Sequence, residues 1–400
     1  MKKITLICCL LVALFTSCKI FKANKLASGG SVGQDQFLTE IPFEMKMGLI
    51  ILKVEIAGQV YNFLLDSGAP NIISTELAQQ LKLSNLIGTK ATDGGGKQNS
   101  LSMVSIDTIS IEKINFLNTA AIISPLNLSK ELSCLKVDGL IGSNLMRNAV
   151  WKIDFKRNII TISNDLNSLK VPAEAAKIPF TVDRMGLPYT DVKINNLTIK
   201  DVLFDLGSNG HFNLSDKAIE NLLLKSPSLP KLNSYGSSLS GAFGSTKNDS
   251  TLFLKVPNFS MGDVLLENLI MREGYSSLIG MEFFKNYTVI FDWSSKQLIL
   301  LNEKPYQNAD YFSFGFVCNK SENELIVTAL FENSPATEAA IQLGDQILFI
   351  NGVNYENFSD NRYCEWLINN PMTDKQEIEI TLKRKDKVST IVLQRENLFK

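Results

Sequence analysis

Apolar residues along much of this chain either alternate with polar residues or form short uninterrupted runs. The segments 49–56, 159–162 and 253–256 show these patterns, which are typical of β-strands. Patterns with a helical period are short, and they cover 75–83, 144–148, 214–224 and 282–286. The sequence therefore predicts a mainly β fold with few helices.

The strand-rich part of the chain is duplicated. Residues 139–162 align without a gap on residues 277–300, at a constant offset of 138. The repeating unit has about 125 residues, which is enough for a core of ordinary domain size. We therefore expect two related and mostly β lobes, 39–165 and 175–302.

Each predicted lobe has one aspartate in an Asp-x-Gly triplet that follows two apolar residues. The triplets are Asp66-Ser67-Gly68 and Asp205-Leu206-Gly207, and their aspartates are 139 positions apart. One such triplet usually marks a surface turn, but its recurrence within a longer repeat predicts two half-sites. Two carboxylates within a few ångströms cannot both ionise, so the pair shares a proton. One aspartate can then act as a base toward a water while the other acts as an acid.

The first residues have the three zones of a secretory signal. Met1-Lys2-Lys3 precedes an apolar stretch that ends at Phe15, and Thr16-Ser17-Cys18 follows. The apolar stretch is shorter than the roughly 20 residues that span a bilayer. Segment 1–18 resembles a bacterial lipoprotein signal with a lipobox, in which Cys18 is lipidated, and 19–38 is predicted to be a flexible tether.

This resemblance implies a lipid-anchored protein of the bacterial cell envelope, on the periplasmic side or at the cell surface. Plain secretion and an uncleaved signal anchor remain as alternatives. The 40 basic and 41 acidic residues are interspersed, so no basic field for a nucleic-acid partner is predicted.

Cysteine and histidine are scarce in the chain beyond the signal. Cys134, Cys318 and Cys364 lie in three separate regions, which predicts buried free thiols and no disulfide framework. His211 is the sole histidine, and its place after Asn-Gly favours a loop residue over a catalytic base. One histidine hardly suffices for a Ser-His-Asp arrangement or a His-rich metal site. We expect no metal and no cofactor.

The repeat stops after residue 302, and a different pattern follows. Ser334 to Gly352 resembles the PDZ family, with a capped helix, a Gly-Asp turn and a strand that ends in Asn-Gly. The resemblance covers 310–395. It implies a carboxylate-binding loop at Phe314, Gly315 and Phe316, which receives a peptide C-terminus while the adjacent strand edge pairs with the peptide. The alternative is a packed module that only orients the other domains.

The two lobes resemble aspartic peptidases, of the retropepsin-like type fused in tandem into a pepsin-like unit. The resemblance covers about Thr39 to Asn302. It implies two β-barrel lobes that form one bilobal unit, with Asp66 and Asp205 as the catalytic pair. It implies that six residues support the active-site loops: Ser67, Gly68, Gly142, Gly207, Ser208 and Gly280. It also implies substrate-covering flaps at two glycine-rich hairpins, with Gly94, Gly95, Gly96 and Phe243.

Leu206 departs from the family pattern, which has Thr or Ser at this position. A leucine side chain has no donor or acceptor, and a lost buried hydrogen bond costs on the order of 1 kcal/mol. Neither hairpin has the tyrosine of pepsin-like enzymes. Asp154 and Asp292 also recur in the repeat, and their setting between β-type residues predicts structural roles.

Three functions are therefore compatible with the sequence. The first is a membrane-anchored aspartic endopeptidase whose PDZ domain recognises peptides. The second is a catalytically silent protein that binds peptides in the same cleft and groove. The third is a structural envelope protein. Because both half-sites lie in one chain, a monomer suffices for the chemistry, and a peptide or protein substrate is the expected partner.

Overall fold

The prediction of a mainly β protein is confirmed. The structure is a computed structural model that describes residues 26–84, 87–92, 96–237, 240–241, 244–245, 250–302 and 306–399. The predicted signal segment 1–18, with Cys18, lies outside the described residues. Among the described residues, no helix has the length and hydropathy needed to span a membrane.

Lobe 1 is built on a nine-stranded sheet. Along several of its strands buried and exposed residues alternate, and near some strand ends several consecutive residues are buried. The strands that lobe 1 contributes to this sheet and to the sheet below the lobes are Ser31–Val32, Leu38–Pro42, Glu44–Lys46, Leu49–Ile56, Gln59–Asp66, Ile72–Ser74, Ile87–Thr92, Gln98–Ile111, Ile114–Ser124, Gly139–Gly142, Val150–Asp154 and Ile159–Ser163. The helices are Thr75–Gln80, Lys130–Leu135, Ser143–Met146 and the 3-10 turn Leu166–Leu169.

Lobe 2 repeats this arrangement. Its strands are Ala176–Pro179, Thr181–Val182, Pro188–Ile194, Leu197–Phe204, Phe212–Ser215, Lys231–Gly236, Ser240–Gly241, Gly244–Ser245, Ser250–Met261, Val264–Gly274, Leu278–Ile279, Tyr287–Asp292 and Gln297–Asn302. Its helices are Asp216–Lys225 and Met281–Phe284. The predicted second hairpin is present, because Ser240–Gly241 pairs antiparallel with Gly244–Ser245.

The C-terminal domain has two short helices and eight strands, and its buried cluster also includes Cys134 of lobe 1. The strands are Phe312–Ser313, Phe316–Ser321, Glu324–Phe331, Gln346–Ile350, Val353–Asn354, Glu377–Arg384, Lys387–Gln394 and Glu396–Asn397. The helices are Pro335–Glu338 and Asp360–Ile368. Ser334 begins the first helix with a capping box, in which its side chain accepts from Thr337 N and the Thr337 side chain accepts from Ser334 N.

A six-stranded sheet below the lobes joins them with nearly twofold symmetry. Val150–Asp154 of lobe 1 pairs antiparallel with Tyr287–Asp292 of lobe 2. Lys152 lies opposite Ile290, which is its own counterpart at the repeat offset of 138. Trp151 is fully buried beside this pair and donates to Met146 O at 2.8 Å. The register therefore relates the two lobes by a local twofold rotation axis that passes near Lys152 and Ile290.

Lobe 2 and the C-terminal domain share one continuous sheet. Lys231–Gly236 pairs with Ser250–Met261 on one side and with Glu324–Phe331 on the other. Gly236 has φ +100°, and a Cβ there would lie 2.1 Å from Thr328 O. Glycine is therefore required where the two domains meet.

The prediction of a flexible tether over 19–38 is wrong for its described part. Ser31–Val32 pairs antiparallel with Phe116 and Leu117 at the edge of lobe 1. Ala27 is buried among Met103, Ala120 and Ile122. The polar and small residues of this segment did not indicate a strand, because a short strand at a sheet edge needs few apolar residues.

The prediction of three free thiols is wrong for two of them. Cys134 of lobe 1 and Cys364 of the C-terminal domain form a disulfide across a sequence separation of 230 residues. Cys318 is free and buried, as predicted. The pairing depends on how the lobe and the C-terminal domain pack together, which cysteine spacing alone does not report.

Candidate active site

Asp66 and Asp205 each follow a buried strand, and both strands end at the boundary between the lobes. Asp66 closes the strand Gln59–Asp66 and lies opposite Gly142 in a parallel pairing. In lobe 2, Leu203 and Phe204 pair in parallel with Leu278 and Ile279. Asp205 N then donates to Ile279 O at 2.9 Å. The same local topology therefore positions both aspartates.

The structure brings the two predicted carboxyl groups together, within hydrogen-bonding reach of each other. Asp66 Oδ1 accepts from Gly68 N and Asp205 Oδ1 accepts from Gly207 N, each at 2.8 Å. A Cβ on Gly68 would lie 2.4 Å from Asp205 Cγ, and one on Gly207 would lie 2.3 Å from Asp66 Cγ. Each carboxyl group therefore packs over the glycine of the opposite loop.

Burial and proximity raise the pKa of both groups. Burial raises the pKa of Asp66 well above its usual range, and the nearby Asp205 charge raises it further. Burial also raises the pKa of Asp205, to about 6, against the lowering effect of hydrogen bonds from Gly207 N, Asp66 and Ser208 N. Two such carboxyl groups in contact lose their protons in two coupled steps, and between these steps the pair holds one proton.

Ser67 joins the two active-site loops across the cleft. Its buried Oγ donates to Phe204 O at 2.7 Å and accepts from Leu206 N at 3.0 Å. These two bonds fix the lobe 2 strand on either side of Asp205. Leu206 is fully buried, and its side chain cannot make equivalent bonds toward lobe 1. Ser67 of lobe 1 thus bonds the backbone of the lobe 2 loop, and Leu206 of lobe 2 makes no equivalent bond in return.

Gly142 and Gly280 lie directly behind the two loops, as their motif predicted. A Cβ on Gly142 would lie 2.2 Å from the carbonyl carbon of Pro70. One on Gly280 would lie 2.4 Å from Gly210 O and 2.8 Å from Ser208 O. Both loops therefore rest on a glycine that leaves no room for a side chain.

Three buried polar residues that the sequence did not single out hold the Asp66 loop. Asn71 Oδ1 accepts from Gly142 N and Asn144 Oδ1 accepts from Asn71 N, each at 2.7 Å. Ser143 Oγ donates to Ser67 O at 2.6 Å. These residues bond backbone atoms more than 70 positions away, and no local pattern reports such partners.

The described end of the lobe 1 flap contacts lobe 2. Gly94, Gly95 and Phe243 lie outside the described residues. Gly96 has φ +82°, and a Cβ there would lie 2.5 Å from Tyr275 Cδ2. Tyr275, which the sequence did not single out, precedes the strand Leu278–Ile279 and is 59% exposed. Gly96 of lobe 1 thus lies beside the ring of Tyr275 in lobe 2.

His211, Asp154 and Asp292 have the structural surroundings that the sequence predicted. His211 Nδ1 lies 2.7 Å from Tyr306 OH in a loop, and burial lowers its pKa. Asp154 Oδ1 accepts from the backbone of the following turn. Asp292, which is 1% exposed, accepts from Ser294 N in the equivalent turn of lobe 2. These contacts account for the recurrence of both aspartates.

The predicted carboxylate-binding loop is a tight turn. Gly315 has φ +90°, and a Cβ there would lie 2.1 Å from Ser334 Oγ. Phe314 and Phe316 are buried on either side of it. Gly315 N donates to Ser313 Oγ at 3.0 Å, so an incoming carboxylate would take this donor from a hydroxyl.

Two family models match the chain, and each matches one region. The model described as "Aspartyl protease" matches residues 52–145, and the model described as "PDZ domain" matches residues 313–394. The chain thus has an aspartyl-protease-like region, which contains Asp66, followed by a PDZ domain. The sequence, the structure and these matches therefore agree on a protease-type fold and a PDZ domain.

Solved structures provide further likenesses. A retropepsin-like aspartic protease from Rickettsia conorii is 18% identical, with a TM-score of 0.26, over 34% of this chain and 93% of that one. Basic 7S globulin from soybean is 10% identical, with a TM-score of 0.37, over 66% of this chain and 95% of that one. No curated protein matches the chain.

We expect Gly142→Ala to lower the free energy of unfolding by about 1–3 kcal/mol, because the new methyl group meets the backbone of the Asp66 loop. Gly88→Ala is the control, since a Cβ there meets no atom within 4 Å. Its effect should stay within about 1 kcal/mol. Chemical denaturation measures both. Equal losses would show that Gly142 does not brace the loop.

Proposed function

We propose that this protein is an aspartic endopeptidase that hydrolyses peptide bonds at Asp66 and Asp205. The observation that carries this proposal is the shared-proton pair, in which each carboxyl group packs over the glycine of the opposite loop. Such a pair contains an acid and a base within reach of one water molecule. The match of residues 52–145 to an aspartyl protease model supports the same reaction class.

In the proposed reaction Asp205 is the base and Asp66 keeps the proton, because the hydrogen bond between them lowers the pKa of Asp205 and raises that of Asp66. A water between them attacks the peptide carbonyl carbon while Asp205 takes its proton. Asp66 donates to the carbonyl oxygen, which stabilises the developing charge. The tetrahedral intermediate then collapses, a carboxyl group protonates the nitrogen, and the C–N bond breaks to give a carboxylic acid and an amine.

A catalytically silent peptide-binding protein is the second candidate, and Leu206 is the observation that favours it. Ser67 makes two hydrogen bonds to the backbone of the opposite loop, and the Leu206 side chain makes none in return. Positioning errors near 1 Å reduce rates about 100-fold. The cleft in such a protein still binds extended peptides, and turnover separates the two candidates.

We also propose a lipid anchor at Cys18 and a location in the bacterial cell envelope. The order of charged, apolar and small residues before Cys18 supports this proposal. The Cys134–Cys364 disulfide is a second support, because disulfides persist mainly in oxidising compartments outside the cytosol. In this location the PDZ domain recognises the C-termini of envelope peptides.

The first prediction from the proposed function concerns cleavage. We expect the purified chain to cleave members of a diverse peptide library, and Asp66→Asn or Asp205→Asn to lower kcat/KM by about 100-fold or more. Because the pair needs one charge, activity should fall as the pH drops through about 6, the pKa of Asp205. Mass spectrometry of the products across pH measures both effects.

Asp107→Asn is the matched control for the two dyad variants, because Asp107 is exposed on a lobe 1 strand. Its rate should equal that of the wild type. Cleavage that persists in both dyad variants would contradict the mechanism. Retained peptide binding without any cleavage would favour the silent binder.

The second prediction concerns Leu206. We expect Leu206→Thr to raise kcat about 5-fold to 10-fold, because one added buried hydrogen bond is worth on the order of 1 kcal/mol. Leu206→Val is the control, since valine has nearly the shape of threonine without the hydroxyl. An unchanged kcat in the threonine variant, or an equal gain in both variants, would show that the missing hydroxyl at position 206 does not limit kcat.

The third prediction concerns the anchor. We expect Cys18→Ala to move the protein from the membrane fraction to the soluble fraction, because no thioether to lipid can form. Cys318→Ala is the control and should stay with the membrane. Immunoblots of separated fractions measure the distribution. Retention of Cys18→Ala in the membrane would show another form of attachment.

A further inference from the structure

The PDZ domain has a groove between the strand Phe316–Ser321 and the helix Asp360–Ile368. The strand pairs with Glu324–Phe331 along one edge. Its other edge faces the helix, because Tyr363 OH on the helix donates to Asn319 Oδ1 on the strand at 3.3 Å. A peptide that joins a sheet by β-augmentation enters a groove of this kind and bonds the free strand edge.

A segment of lobe 1 contacts both walls of this groove. We name the helix Lys130–Leu135 the cover helix. Lys130 Nζ donates to Lys320 O on the strand at 3.3 Å. Glu131 Oε1 accepts from Tyr363 OH on the opposite wall at 3.3 Å. The cover helix therefore meets the strand and the helix that line the groove.

The cover helix also contributes to the core of the PDZ domain. Cys134 is 7% exposed and packs in the same cluster as Phe314, Phe316 and Cys318. Phe314 and Phe316 belong to the predicted carboxylate-binding loop. The cover helix thus contacts the groove strand near its end, at Lys320, and through Cys134 it joins the buried cluster that contains Phe314 and Phe316.

The contact of Lys130 bears directly on peptide binding. In the antiparallel pairing, Lys320 lies opposite Leu325, and its carbonyl accepts from Lys130 rather than from a third strand. An added peptide strand pairs through carbonyl groups on this free edge. The Lys130 ammonium group therefore competes with a peptide for the same edge of the sheet.

The disulfide fixes this arrangement. Cys134 lies on the cover helix, and Cys364 lies on the groove helix, next to Tyr363. The cover helix is itself held in shape by Ser129, whose Oγ accepts from Leu132 N and donates to Glu131. A covalent bond thus ties a preformed helix to the wall of the groove.

From these contacts we propose that the cover helix is a built-in blocker of the PDZ groove, that the Cys134–Cys364 disulfide latches it in place, and that a dithiol reductant opens the groove to peptides with a free C-terminal carboxylate. This inference rests on the proposed peptide recognition by the PDZ domain. It adds an occupant of the groove and a condition for access to it.

The opening step is a two-electron thiol–disulfide exchange. One thiolate of the dithiol attacks a sulfur of the disulfide, forms a mixed disulfide and releases the other cysteine as a thiolate. The second thiol of the reductant then displaces the remaining cysteine. The protein gains two electrons and two protons and has two thiols, and the dithiol becomes a disulfide.

Cys318 does not perform this exchange from within. Burial raises the pKa of its thiol to about 12, so it stays protonated near neutral pH. The attacking species in an exchange is a thiolate. The latch therefore responds to an external dithiol.

The test measures two quantities on the full chain, before and after treatment with dithiothreitol. The first is binding of peptides with free C-termini, with C-terminally amidated peptides as reference. The second is hydrogen exchange in the cover helix and in the groove strand Phe316–Ser321. We expect reduction to raise peptide affinity about 10-fold or more and to speed exchange in both segments.

Variants separate the latch from general effects of reduction. The double variant Cys134→Ser/Cys364→Ser should match the reduced protein without dithiothreitol. Tyr363→Phe, which removes the bond to Glu131 but keeps the disulfide, should leave the oxidised groove closed.

Each outcome has a distinct meaning. Peptide binding by the oxidised protein that equals binding by the double variant would overturn the inference, and so would unchanged exchange in the two segments. Faster exchange with higher affinity supports it. Faster exchange without peptide binding in any state would uphold the blocker and its latch, and the proposed recognition of C-termini would fail instead.

Discussion

The proximity of two buried carboxyl groups is the constraint on which the rest of the bilobal unit depends. A buried carboxylate beside a second one is unfavourable, and the pair exists here because the surrounding backbone compensates for it. Amide groups of Gly68 and Gly207 donate to the carboxyl oxygens. The same two glycines leave space for the opposite carboxyl group. The loops must therefore approach closely, and the sheet below the lobes holds them at that distance.

The packing of the C-terminal domain extends this constraint beyond the cleft. Met47 packs against the cores of both the bilobal unit and the PDZ domain. Its carbonyl accepts from Asn209 Nδ2, four positions after Asp205, at 3.4 Å. A single turn of lobe 1 thus contacts the PDZ core and the loop of the second aspartate. The PDZ domain is part of the structure around the active-site loops rather than a separate appendage.

Features that depend on local pattern or on the repeat could be predicted from the sequence. The strands, the pairing of Asp66 with Asp205 and the positions of Gly142 and Gly280 are of this kind, because duplication records each of them twice. The disulfide, the edge strand Ser31–Val32 and the roles of Asn71 and Asn144 are not. Each depends on partners that are distant in sequence and that only the folded chain brings near.

The register of the sheet below the lobes has an evolutionary consequence. Lys152 faces its own counterpart, Ile290, which is the arrangement of an isologous homodimer interface. A homodimer that carries a substitution in one active-site loop carries it in both. Fusion into one chain removed that restriction, so one half could keep the Ser67 hydroxyl while the other acquired the Leu206 side chain. Only a covalently joined pair can have two halves of the cleft with different residues at equivalent positions.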